Sequence, residues 1–167
     1  MNLEINDISI TKADLLAFDG LSVSLKEQAD NSEILILPNS AVQNHSLGVF
    51  TSETPTFYKL LKKEFADNSI TLFENEGMEH MLDQRSYLVD LPVLFLDYGT
   101  QYLPKIIEFI SAYLLVRYKY KMKKDTLDVR LNIIMEDKKN GHTTQIKYTG
   151  PASSLDTILS SISDKNK

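Results

Sequence analysis

A chain of 167 residues with 43% hydrophobic and 25% charged residues has the composition of a soluble globular protein and is long enough to bury a sizeable core. The absence of cysteine excludes disulfides and thiolate chemistry. Residues 1–100 carry sixteen acidic against six basic side chains and residues 101–167 seven against twelve, so the net charge of −5 hides two halves of opposite sign that attract each other, within one molecule or between copies.

The N-terminal stretch MNLEINDIS lacks both a basic region and an apolar run, which predicts no secretory signal and a cytoplasmic protein. Leu3, Ile5, Ile8 and Ile10 suggest a first strand. Thr11 with Asp14 has the spacing of a capping box ahead of a short helix through Leu15, Leu16 and Phe18, ended at Asp19-Gly20. Leu21, Val23 and Leu25 alternate as in a strand, and residues 29–32 form a polar turn. Glu33 to Leu37, stopped by Pro38, is the best central strand of the first half.

Residues 38–54 form a long loop that contains Ser40 and His45. Thr54-Pro55 then starts an amphipathic helix with its stripe at Phe57, Leu60, Leu61 and Phe65, followed by a strand at Ile70–Phe73. Strand, helix and strand in this order predict a βαβ-like unit with 34–37 and 70–73 as parallel neighbours joined by a right-handed crossover. An acidic helix over residues 75–85 and a buried strand or packed loop at Val93–Leu96 complete the first half.

The longest apolar run, Leu103–Lys124, changes into a basic tail without a turn signal. Its apolar positions widen past a single face, which predicts burial on more than one side, and Pro104 is assigned to the first turn. Lys105 and Glu108 interrupt the run well short of the ~20 residues that cross a bilayer, so the segment reads as a core or subunit-contact helix rather than a span. Beyond it, Val129, Leu131, Ile133 and Met135 alternate as a half-buried strand, Asn140-Gly141 marks a two-residue hairpin turn, and Thr144, Ile146 and Tyr148 return. Ser153 or Ser154 caps a last helix with Leu155, Ile158, Leu159 and Ile162 in one stripe. The expectation is one domain, 1–167, of the α/β or α+β class: a mixed sheet with packed helices, an acidic βαβ-like half over 1–100, an α-β-β-α unit over 101–163 and a frayed tail over 164–167.

Chemistry is sparsely marked. Glu76, Glu79, His80 and Asp83 have helical spacing that could ligate a divalent cation, but no second segment supplies ligands, and a solvated acidic face is the better explanation. Ser40 near His45 lacks the strand–turn–helix elbow of a nucleophile, and no glycine-rich phosphate loop is present. No cofactor is implied. The basic and aromatic residues of 117–124 fit either a polyanion strip or the helix C-terminus, where cations complement the dipole, and the acidic first half repels nucleic acid.

The helix at 103–118 ending in Tyr-Leu-Leu-Val-Arg, the strands 127–135 and 144–148 around Asn140-Gly141, and Gly150-Pro151 before a closing helix resemble the small effector-associated components of bacterial conflict and antiphage operons. The resemblance spans about two-fifths of the chain and rests on patterning. It implies a non-catalytic accessory or adaptor subunit that contacts an effector encoded nearby, and it carries over no catalytic residue. The interaction surface expected on this basis is Tyr113, Val116, Arg117, Tyr120, Lys121 and Lys124, with a homo-oligomer as a further expectation. The alternatives are a small enzyme or ligand-binding domain using the 38–54 loop with the 74–83 acids, and polyanion binding through 117–124.

Overall fold

A strand in which four consecutive residues are all buried must be covered on both faces, and Ile34–Leu37 (β2) is such a strand. A computed structural model describes residues 2–39, 49–65, 69–74, 82–83, 88–97, 99–118 and 127–165. Its main sheet runs in the order β1 (Asn2–Ile8), β9 (His142–Pro151), β8 (Asp128–Asp137), β7 (Val93–Asp97), β2 and β4 (Ile70–Leu72), and β6 (Leu88–Asp90) also pairs with β8. β2 is parallel to β4, and β6 and β7 are parallel to β8, while β1–β9, β8–β9 and β2–β7 are antiparallel. The sheet is therefore mixed. β3 (Phe50–Thr51) and β5 (Leu82–Asp83) make a separate two-stranded pair.

Helices sandwich the sheet. On one face α3 (Thr54–Glu64), α4 (Gly99–Tyr118) and α5 (Ala152–Lys165) bury Phe57, Leu61, Leu103, Ile106, Ile110, Leu155 and Ile162 against Ile34, Ile36, Leu94, Ile133 and Tyr148. On the other, α1 (Lys12–Leu16) and α2 (Val23–Asp30) bury Leu15, Leu25 and Ala29 against Leu35, Leu37, Phe95 and Ile134. Two cores thus share one sheet, and each wholly buried Leu or Ile contributes about 1.5–3 kcal/mol by leaving water.

The βαβ-like unit has the expected parallel pairing, with Ile34 opposite Ile70. The Thr11–Asp14 capping box forms, each side chain bonded to the other's backbone N–H. Several local expectations change. Leu21, Val23 and Leu25 do not make a strand: Ser22 caps α2, its Oγ accepting from Leu25 N at 3.1 Å, and Val23 is left exposed. β8 is more than half-buried, because Ile134 lies under the α1–α2 layer while Ile133 and Met135 face the other core.

The hairpin loop is four residues, 138–141, between the paired Asp137 and His142. Gly141 carries the positive φ of +63° and Asp137 accepts from Lys139 N and Asn140 Nδ2, so the side chain of Asp137 shapes a wider turn than an Asn-Gly type I′. α4 starts at Gly99, which places Pro104 inside the helix, where its missing N–H removes one backbone bond and its ring stays exposed. α3 takes Thr54 as its first residue with Glu53 at the cap, and α5 begins at Ala152, ahead of both candidate serine caps. Leu82 and Asp83 pair with Phe50 and Thr51 as a strand, so the helix expected over 75–85 does not include them.

β6 and β7 are one strand interrupted at Leu91-Pro92. Asp90 is opposite Arg130 and Leu94 opposite Ile133, so three residues span a stretch that β8 covers with two. Leu91 N still reaches Arg130 O at 3.1 Å, whereas Pro92 has no N–H to give.

Candidate protein-contact site

The two helices packed on the sheet beside each other, α3 and α4, leave a groove between them. α3 is amphipathic with Phe57 and Leu61 buried, and α4 needs apolar residues toward both the sheet and α3. Phe57 packs edge-on against Phe109 and Tyr113 with ring centres 5.1 Å apart in both pairs, and this aromatic cluster fixes the spacing of the helices. Above it lies an open groove of about 520 Å³ lined by Leu60, Phe65, Phe109, Ala112 and Val116, with Lys63, Lys105 and Arg117 against Glu64 and Glu108 on its rim. Val116 is 75% exposed and the adjoining Leu115 61%, an apolar pair left uncovered on the last turns of α4.

Two residues of the groove, Tyr113 and Arg117, are tied to a buried carboxylate. Glu53, at the N-cap of α3, is 8% exposed and accepts hydrogen bonds from the hydroxyls of Tyr113 and Tyr118 and from Arg117 Nε at 3.0 Å. Burial alone pushes its carboxyl up, but the three donors and the Arg117 charge outweigh that and hold it below the ordinary carboxylate range. Tyr113 and Tyr118 are driven the other way, well above the usual phenol range, by burial and by the bond each gives to Glu53. The guanidinium of Arg117, whose side chain is 43% exposed, is the wet end of the cluster. Tyr113, Arg117 and Tyr118 lie one turn and one residue apart on α4, so a single acid organises its final turns.

The expected contact surface is therefore split. Val116 is on the surface and Arg117 on the rim, but Tyr113 is a core residue, 3% exposed, because its ring fills the space under α3 and its hydroxyl is committed to Glu53. Tyr120, Lys121 and Lys124 lie outside the described residues, as do Glu76, Glu79, His80, Ser40 and His45. Asp83 is in β5, opposite Thr51. Among the described residues no three His, Asp or Glu side chains come together as a metal site. No described helix is long and apolar enough to cross a membrane. Glu53 was not marked by its sequence neighbours, since its partners are 60 to 65 residues away, and the only local signal is an acid just before a helix.

Compared with known protein families, curated proteins and solved structures, the chain matches none of them.

Proposed function

We propose that this protein is a non-catalytic accessory subunit that holds an apolar segment of a partner protein in the groove between α3 and α4. The groove itself carries this reading: an apolar floor that reaches the exposed Val116, with Leu115 exposed beside it, and a rim of three basic and two acidic side chains. Such a shape suits an amphipathic helix that lays two or three anchors into it. The rim and the Lys119, Lys121, Lys123 and Lys124 that follow α4 in sequence favour acidic residues flanking those anchors. The likeness of the C-terminal layout to effector-associated components makes an effector encoded nearby the first partner to try.

The test is size-exclusion mass of the protein mixed with the products of adjacent genes, at low and high salt. A complex that forms with the native protein and is lost with Val116→Asp or Ala112→Asp supports the groove. A complex indifferent to both substitutions, or no complex with any of those products, overturns it.

A further inference from the structure

The α1–α2 layer covers only part of its sheet face. It ends over Val93 and Ile134, and among the described residues no helix covers Arg130, Asn132, Lys147 and Thr149 farther along the same face. A bare antiparallel face is ordinarily flat and polar. Here it is hollow: Leu91, at the interruption between β6 and β7, and Asn39, two residues past β2, wall one side, and a crevice of about 430 Å³ opens over the strands.

Three side chains that carry hydrogen-bond donors line this crevice. Asn132 and Lys147 are direct cross-strand neighbours, which sets their Cβ atoms about 5 Å apart, and Arg130 is two residues before Asn132 on the same face, about 7 Å along the strand. Each keeps donor capacity. Arg130 gives only Nη1 to Asp90 Oδ2, at 3.4 Å, and that buried carboxylate, 4% exposed, anchors one end of the guanidinium while its other N–H groups remain. Asn132 uses its Oδ1 to accept from the buried Gln145 at 3.1 Å, which leaves its Nδ2 to donate. Lys147 lies opposite Glu4, yet Glu4 Oε1 takes Asn2 Nδ2 at 3.1 Å, and among the described residues no ion pair joins Glu4 to Lys147.

We propose that Arg130, Asn132 and Lys147 form a binding site for a small organic oxyanion, the carboxylate or phosphate head of a polar metabolite. A triangle of two cations and an amide at this spacing places three donors around a single trigonal or tetrahedral head, and a forked guanidinium held from behind is suited to either shape. Glu4 and Asp90 offset the two cations, so the pull on an anion comes from the directed donors and not from net charge, and a chain of negative groups is repelled. The site lies across the sheet from the groove between α3 and α4, and it stands or falls independently of that groove.

The test is amide-detected NMR titration of the full chain with inorganic phosphate and, separately, with acetate, at ionic strength held constant with sodium chloride. Saturable shifts centred on Arg130, Asn132 and Lys147 are expected with at least one of the two, and the one that saturates names the head group. Lys147→Gln, at a partly exposed residue with no ion pair to lose, and Arg130→Gln should each weaken binding roughly tenfold, while Val116→Asp leaves it unchanged. Shifts that stay linear with both anions, or that saturate undiminished in Lys147→Gln, overturn the proposal.

Discussion

Each face of the sheet buries a charged cluster beneath its helices, and the two are built in opposite ways. Under α3 and α4 a carboxylate, Glu53, is surrounded by donors from a single helix, with Arg117 reaching water. Under α1 and α2 an ammonium, Lys12 Nζ, is surrounded by acceptors from three parts of the chain: Asp30 O at 2.8 Å, Ser32 O at 2.6 Å and Asp97 Oδ2 at 3.3 Å. Lys12 N also donates to Glu136 Oε2, and Lys138 shares Asp97 Oδ2 at 3.2 Å. The second cluster is dry, with Lys12 at 3% and Asp97 at 5% exposed, and it leaves Asp97 Oδ1 without a hydrogen bond. The difference separates two uses of a buried charge. Lys12 ties α1, the end of α2 and two strand ends into one framework, whereas Glu53 sets the last turns of one helix beside an open groove.

If that contrast is right, removing Lys12 does the greater harm. Lys12→Met strips the donor from two carbonyls and leaves Asp97 with Lys138 alone, which should cost about 3–5 kcal/mol in urea unfolding and lower the midpoint without changing the slope. Glu53→Gln keeps the shape but offers Arg117 an amide, so about 2 kcal/mol is expected, accompanied by loosening of the α4 end that shows as faster hydrogen exchange at residues 113–118.

Acid sharpens the comparison further. Because the Glu53 carboxyl sits below its unfolded value, its contribution is complete above the ordinary carboxylate range, about pH 4.5, and disappears as the pH falls through the depressed folded value. Native protein should lose more stability across that acid interval than Glu53→Gln does. The tyrosines give the alkaline counterpart: raised above ~10, their contribution is complete below that pH and is lost above it, so ultraviolet titration should find Tyr113 and Tyr118 ionising last. The smallest effect belongs to the groove floor, where Val116→Asp should change stability by less than about 0.5 kcal/mol, because the side chain it replaces is already in water.

Much of the framework was legible before any coordinates. The stripes of α3 and α5 and the alternation of β8 and β9 follow from periodicity, which is a local property, and the parallel pairing of β2 with β4 follows from the order strand, helix, strand. Errors arose where two local signals competed. Leu21, Val23 and Leu25 alternate, but Ser22 supplies a cap, and burial of Leu25 and Ala29 against the sheet decides for a helix. Pro104 reads as a helix start, yet tertiary packing of the flanking turns carries α4 through it. Neither charged cluster could be read from sequence, since Lys12 and Asp97 are 85 residues apart and Glu53 and Tyr113 are 60 apart. In the sequence Val116 and its neighbour Tyr113 read as one surface, and only the position of α3 separates an exposed valine from a buried tyrosine.

The sheet order also governs how the molecule can be made. Among the described strands β1 pairs with β9 alone, in a seven-residue ladder from Asn2–Thr149 to Ile8–Thr143, so β1 has no sheet partner until residues 142–151 have left the ribosome. Closing a loop of that length is slow and late, and until then Leu3 and Ile5 stay available to wrong partners, a hazard that the interspersed Glu4 and Asp7 reduce. Nascent chains stalled before residue 142 should therefore be far more protease-sensitive at their start than finished ones.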